Sequence, residues 1–245
     1  MRDFYDFKIE NIKNLSLEEK NLRKKNLDLF FQNGFPNKKS EDWKFSDLNS
    51  ILVKNFNSIV NKDLLSEDKK LKIIEEFDHN FIFLIDGKLI SNNFDYEDKN
   101  SIFVKDYNYK SEIKLDKQSS LTLLNNALAT GGFTLEVSKN YKFIKPLVIY
   151  NYFSKNLKES ILNNKNSIIL NDKSELTLIN YTDDNSRDNF MTNTIDNVII
   201  KKYASLKNIF INNSRCNGYF YRYIKSALEK GSSCDNYLLS TGLKF

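Results

Sequence analysis

The sequence predicts a mainly β protein in which a few α-helices precede a parallel β-solenoid. Residues 1–79 carry helix signals, whereas strand-like runs dominate from Phe133 onward. In this later part a strand–corner–strand unit recurs, and Leu176, Leu206 and Cys234 align with spacings of 30 and 28 residues. Units made only of strands and repeated at such a period are typical of stacked solenoid turns.

Residues 1–79 form the predicted N-terminal helical region. Ser16 and Glu19 have the spacing of a capping box, which marks a helix start. Gly34 followed by Pro36 is the order expected at a helix end. Further helices are predicted over 47–56 and 66–77. The first helix is predicted to bury a face formed by Leu22, Leu27, Phe30 and Phe31.

Residues 80–132 are predicted to lead into the solenoid. Two apolar runs flank Asp86-Gly87, a dipeptide that favours a tight β-hairpin. A strand is predicted over 101–107 and a helix over 119–129. Gly131-Gly132 is interpreted as the stop of that helix, because the Lys and Ser/Thr that complete a phosphate-binding loop do not follow it.

Residues 133–245 contain the predicted turns of the solenoid. Residues 133–153 fit an earlier turn with Asn140-Tyr141 as its corner. The corners of the three aligned units hold small residues, as closely stacked corners require: Ser174, Ala204 and Ser232.

Composition excludes several classes of protein. The 245 residues are 40% hydrophobic and 28% charged, which is typical of a folded globular chain. Two Cys and one His are too few for a zinc ribbon or a disulfide framework. The net charge of +5 is spread along the chain, so no nucleic-acid partner is expected. No apolar run reaches the length of a membrane span and no signal peptide is seen, so we expect a cytoplasmic protein without a membrane partner.

The segment Gly34–Phe45 resembles a Gly-x-Pro…Glu-x-Trp-Lys-aromatic signature of the SufD group in the SufB/SufD family, the scaffold subunits of SUF iron–sulfur cluster assembly. Further resemblance, in the same order, covers nearly the whole chain. It lies in Phe83–Leu89, Leu124–Ala127 with Gly131-Gly132, Lys145–Leu147 and Leu239–Leu243. Gly131 stands where the family usually has Asp, and the last segment lacks the family's second Gly.

The resemblance implies a right-handed parallel β-helix between N- and C-terminal helical regions. It implies a non-catalytic subunit that works with a SufB-like subunit and a SufC-like ATPase, with the iron–sulfur cluster assembled by the complex. Because the sequence stops at Phe245, we expect this chain to lack the last turns, the functional His and the C-terminal helices of the family. No catalytic, cofactor-binding or metal-ligating residue is assigned to this chain.

Cysteine and histidine are the first candidate functional residues. A thiolate can ligate iron, but Cys234 aligns with apolar positions and is interpreted as a small core residue. Cys216 lies in a polar turn and has no second Cys at ligand spacing. His79 stands between a predicted helix and a strand and is interpreted as a cap or surface residue.

Two alternative functions rest on local clusters. Asp183-Asp184, with Asp188 and Asp196, would suit a β-helix enzyme that cleaves polysaccharides, although the surrounding sequence favours a loop. The run Tyr219–Tyr223, with Lys225, would suit a nucleic-acid-binding module, although it is also typical of a strand with aromatic residues on both faces.

Trp43 and Lys44 belong to the family signature. Trp43 is expected to anchor the helical region by burying its ring, and no catalytic role is assigned to either residue.

Overall fold

In the computed structural model, N-terminal helices are followed by two six-stranded β-sheets that form a solenoid of about three turns. The structure describes residues 9–12, 15–36, 38, 43–45, 48–60, 72–107, 119–182, 188–213 and 217–241. The helices are α1 (Leu17–Asn33), α2 (Leu48–Asn55) and α3 (Ser120–Leu128). The strands are β1 (Ser58–Ile59), β2 (Asn80–Ile85), β3 (Lys88–Asn93), β4 (Ile102–Asp106), β5 (Phe133–Val137), β6 (Leu147–Tyr152), β7 (Ser160–Leu170), β8 (Glu175–Thr182), β9 (Asn189–Ile200), β10 (Ser205–Asn213), β11 (Asn217–Leu228) and β12 (Ser233–Thr241).

The ends of α1 confirm the predicted caps. The Ser16 hydroxyl accepts a hydrogen bond from the Glu19 N–H at 3.1 Å, and Gly34 ends the helix with a φ of +66°. The predicted buried face is only half right, because Leu22 and Phe31 are exposed. The buried polar side chains of Arg23 and Asn26 occupy part of the inner face instead.

Of the two further helices predicted in this region, α2 confirms the first. The second, over 66–77, is wrong where it can be judged, because residues 72–77 form no helix. Its remaining residues, 66–71, lie outside the described residues.

The predicted hairpin is confirmed. Asp86 and Gly87 both have positive φ, of 50° and 75°, as the tightest hairpin turns require. Strand β2 pairs antiparallel with β3 on one side and parallel with β6 on the other. The hairpin therefore begins one of the two sheets.

Parallel pairing stacks the turns in register. One sheet contains β5, β7, β9 and β11, and the facing sheet contains β6, β8, β10 and β12. Leu206 pairs with Leu176 on one side and with Cys234 on the other, which confirms the predicted alignment. The corner residues Ser174 and Ala204 are fully enclosed, as expected for small residues stacked on one another.

The interpretation of Gly131-Gly132 as a helix stop is wrong. Helix α3 ends at Leu128, and Ala129 is its cap. The glycines instead allow close backbone packing, since a Cβ on Gly132 would lie 1.7 Å from the Lys165 carbonyl oxygen of β7. Gly132 has a φ of +132°, which side chains rarely tolerate.

We predict that Gly132→Ala costs more than about 4 kcal/mol of unfolding free energy or prevents folding, because strain and a backbone clash coincide. Gly34→Ala is the matched control. Gly34 also has a positive φ, but a Cβ there would meet nothing within 4 Å, so we expect a loss of about 1–3 kcal/mol from strain alone. Urea unfolding followed by circular dichroism measures both losses, and equal losses would contradict the packing argument.

Candidate functional site

A ladder of asparagine side chains runs along the inner face of the sheet that contains β8, β10 and β12. The Asn180 amide donates to the Asn208 side-chain oxygen at 2.9 Å, and the Asn208 amide donates to that of Asn236 at 3.1 Å. Each turn of the solenoid contributes one amide. Stacking satisfies each amide with its neighbour, so polar groups are tolerated inside the solenoid.

An ion pair faces this ladder from the opposite sheet. The Asp196 carboxylate accepts hydrogen bonds from the Asn166 amide and from Arg222 Nη1, both at 2.7 Å. Arg222 Nη1 also lies 3.4 Å from the Asn180 side-chain oxygen, which connects the two sheets. The Asp196 side chain is only 4% exposed, so the guanidinium compensates a charge that water does not reach.

A chamber of about 330 Å³ lies between the sheets beside these polar groups. Phe153, Phe210 and Phe220 form apolar parts of its wall. The Asn164 side-chain oxygen is buried and has no hydrogen-bond partner among the described residues. Amides and hydroxyls form much of the remaining lining: Asn164, Asn166, Thr182, Thr192, Thr194 and Asn212.

A second polar cluster lies where the helices pack on the outer face of β7. Lys165 is 3% exposed, and its Nζ donates to the Asn126 side-chain oxygen at 2.6 Å. Burial, and then the neighbouring Arg23 guanidinium, lower the pKa of Lys165 to about 7, while Glu19 opposes this shift. Sequence reasoning missed this lysine, because a charged residue in a strand normally indicates a solvent-facing position.

Arg23 attaches α1 to the end of α3. Its guanidinium donates to the Ala127 and Ala129 carbonyl oxygens at 3.0 Å each and pairs with Glu19 at 3.1 Å. These carbonyls lie at the end of α3, where such groups lack partners within the helix. A buried arginine therefore joins two helices that are about a hundred residues apart in sequence.

Two strand edges are open at the last turn of the described part of the chain. Strands β11 and β12 each pair on one side only, with β9 and β10 respectively. An unpaired edge presents backbone donors and acceptors to another strand. Next to this edge Tyr237, Leu238 and Leu239 are exposed by half or more. This face of the last described turn can accept a further β-strand.

The predicted cysteine and histidine candidates have different outcomes. Cys234 is partly buried beside the apolar core, and burial raises the pKa of its thiol. Cys216 lies outside the described residues. The interpretation of His79 as a cap or surface residue is wrong. It is buried, with Nε2 2.8 Å from the Tyr150 hydroxyl and Nδ1 2.9 Å from the Phe77 carbonyl oxygen.

Not every residue of the acidic cluster lies in a loop. Asp183 and Asp184 lie outside the described residues, and Asp188 precedes β9. Asp196 lies within β9 and is engaged by Arg222. The loop interpretation is therefore wrong for Asp196, whose inward position follows from the alternation of side chains along β9.

The aromatic run lies in β11, as the strand interpretation predicted. Phe220 packs against Phe153 inside the solenoid, with ring centroids 5.6 Å apart. On the other face Tyr221 lies 6.0 Å from Trp43, so the signature tryptophan packs against the solenoid as well as the helices. Arg222 points inward to Asp196 and is removed from the exposed basic surface that nucleic-acid binding requires.

Within the described ranges, no three His, Cys, Asp or Glu side chains lie close enough together to hold a metal ion. No helix in the described ranges combines the length and apolar character that a membrane crossing requires.

We predict that Arg222→Met costs about 3–5 kcal/mol of unfolding free energy, because it leaves the buried Asp196 carboxylate without its cation. The matched control is Lys201→Met, which removes a half-exposed pair with Glu229 and should cost less than about 1 kcal/mol. The double change Asp196→Asn with Arg222→Met should recover part of the loss. Chemical unfolding measures all three variants, and a small loss for Arg222→Met would contradict a compensating role.

We predict that Lys165 makes stability rise with pH between about 7 and 10. In this window the unfolded chain, in which the lysine has a pKa of about 10.4, binds more protons than the folded chain. Stability is therefore gained as pH rises toward 10 and lost as pH falls toward 7.

Lys165→Met should remove up to about 1.4 kcal/mol of this rise per pH unit. Lys207→Met, which changes an exposed lysine on β10, is the control and should leave the slope unchanged. Unfolding at several pH values measures the slopes. Parallel curves for wild type and Lys165→Met would contradict the prediction.

The N-terminal part of the chain matches a known protein family. Residues 1–98 match the family described as SufBD protein N-terminal region. The matched segment spans α1, α2 and the β2–β3 hairpin. A search of curated proteins found no significant match to the chain. The match over residues 1–98 thus supports a relation of the chain to the SufB/SufD family and a connection to SUF iron–sulfur cluster assembly.

Proposed function

We propose that this chain, which carries the SufB/SufD N-terminal region over residues 1–98, acts as a SufD-like scaffold subunit in iron–sulfur cluster assembly. The family match is the observation that carries the proposal. The β-solenoid that follows the matched region supports it, because this fold is the one that the family resemblance implies. The cluster is the cargo of the assembled complex in this proposal, and no residue of this chain is assigned to bind it.

The SufD-like assignment rests on the Gly34–Phe45 signature. Two of its residues have clear packing roles in the structure. Gly34 ends α1, and Trp43 packs against Tyr221 of β11. The signature thus connects the end of the first helix to the outer face of the solenoid. These contacts give the motif a structural role and require no catalysis by it.

Pairing with a SufB-like subunit is the proposed mode of action. Strands β11 and β12 offer open edges, and the exposed Leu238 and Leu239 lie beside them. A partner strand would satisfy the backbone groups of the edge and cover this apolar surface. In the proposal a SufC-like ATPase supplies nucleotide hydrolysis, and this chain is a non-catalytic cytoplasmic subunit.

We predict that Leu239→Lys weakens binding to a SufB-like subunit at least tenfold, since a charge would be introduced beside the pairing edge. Ile144→Lys is the control, because Ile144 is similarly exposed but lies at an earlier turn. Co-expression with SufB- and SufC-like proteins from the same organism, followed by affinity measurement on the purified subunits, gives the comparison.

Two outcomes would contradict the proposal. Failure of the wild-type chain to form any complex with these partners would remove the scaffold role. Equal binding by wild type and Leu239→Lys, with both variants folded, would place the contact elsewhere and refute the edge-pairing mode.

A further inference from the structure

We propose that the chamber between the two sheets is a binding site for a neutral, polyhydroxylated small molecule of the size of a monosaccharide or a short sugar alcohol. Its lining includes residues of β11 and β12, so it lies next to the open strand edges that the scaffold role uses. It is built by inward-facing side chains of the solenoid, and its chemistry follows from size, charge, hydrogen-bonding groups and apolar walls.

The size of the chamber sets the scale of the ligand. Its volume of about 330 Å³ lies at the small end of the range for small-molecule pockets, about 300–1,000 Å³. Leu238 and Ser240 contribute to its lining and are exposed, so the chamber is accessible from the side of β12. A single sugar-sized molecule can enter by this side and fill much of the space.

The charge of the chamber favours a neutral ligand. Arg222 is the charged side chain among the described residues that line it, and its guanidinium is paired with the Asp196 carboxylate. The surroundings therefore carry no net charge to stabilise an ion. A charged molecule would lose its hydration without an opposing charge in return, which disfavours its binding.

Hydroxyl groups match the hydrogen-bonding groups of the lining. Thr182, Thr192 and Thr194 each offer a hydroxyl that both donates and accepts, and all three residues are at least nine-tenths buried. Asn164 also contributes to the lining, but its side-chain oxygen is enclosed by the packing against Gly87 and Gly131, so the threonine hydroxyls carry the match.

The packing around Asn164 is specific. A Cβ on Gly87 would lie 2.0 Å from the Asn164 side-chain oxygen, so the hairpin glycine leaves the room that this amide occupies. The amide is thereby held as part of the chamber lining. Its unpartnered oxygen is a fixed feature of the packed interior.

Aromatic walls complete the match to a polyhydroxylated molecule. Phe153 and Phe220 lie next to each other and both line the chamber, with Phe210 as a third apolar wall. The carbon-bound hydrogens of a sugar ring can pack on such faces while its hydroxyls bind the threonine hydroxyls and the side-chain amides of the lining. A purely apolar ligand would leave the polar lining unpaired, which counts against that class.

The test is binding of myo-inositol, D-glucose and D-mannitol to the full chain, measured by calorimetry and ligand-observed NMR. Glucuronate and glucosamine are the charged comparisons. We expect saturable binding of at least one neutral probe in the millimolar range or tighter, and at least tenfold weaker binding of the charged probes. Absence of saturable binding by every neutral probe, or tighter binding of a charged one, would overturn the proposal.

Variants locate the site. Thr192→Val and Thr194→Val each remove a chamber hydroxyl with little change in shape. Each variant should lower the affinity for the neutral probe at least fivefold. Thr134→Val is the matched control, because Thr134 is an equally buried strand threonine outside the chamber lining, and it should bind as wild type does. If one of the two variants fails to fold, the other decides, and unchanged affinity in a folded variant would overturn the site.

Discussion

In-register stacking of parallel strands is the constraint on which the rest of this structure depends. Because Leu176, Leu206 and Cys234 occupy the same position in successive turns, every inward position recurs about every 30 residues. An apolar column can then form a continuous core. Polar inward residues are tolerated where they bind one another, and Asn180, Asn208 and Asn236 meet this condition. Asn236 lies in register with Asn208, whereas Asn180 pairs with Phe210 and reaches Asn208 diagonally.

The helices that cover one sheet face bury charged side chains. The outer face of β7 and β9 would be exposed in an isolated solenoid, but α1, α2 and α3 pack on it. Lys165 is then removed from water, and hydrogen bonding to Asn126 replaces part of its hydration. Arg23 is tolerated nearby because it satisfies carbonyls at the end of α3. The joint between helices and solenoid therefore holds buried cationic side chains beside an apolar core.

The proposed functions use neighbouring parts of the solenoid. The open edges of β11 and β12 suit pairing with another subunit, since each strand pairs with a neighbouring strand on one side only within the described chain. The chamber lies between the sheets, where side-chain chemistry controls what fits. Trp43 connects the matched N-terminal region to β11, so the helical region and the pairing edge belong to one packed unit. Partner binding and ligand binding can therefore be tested by separate substitutions.

Local signals in the sequence were enough to predict the caps of α1, the Asp86-Gly87 hairpin and the repeat of the solenoid. Each of these depends on residues close in the chain or on a regular period. Tertiary structure alone decided the burial of His79, the pairing of Asp196 with Arg222 and the position of Lys165. The reason is that the partners are distant in sequence: Tyr150 encloses His79 from 71 residues away, and Asn126 meets Lys165 from 39 residues away. Alternation along a strand indicates that a side chain faces one way or the other, but only packing determines whether that face meets water or protein.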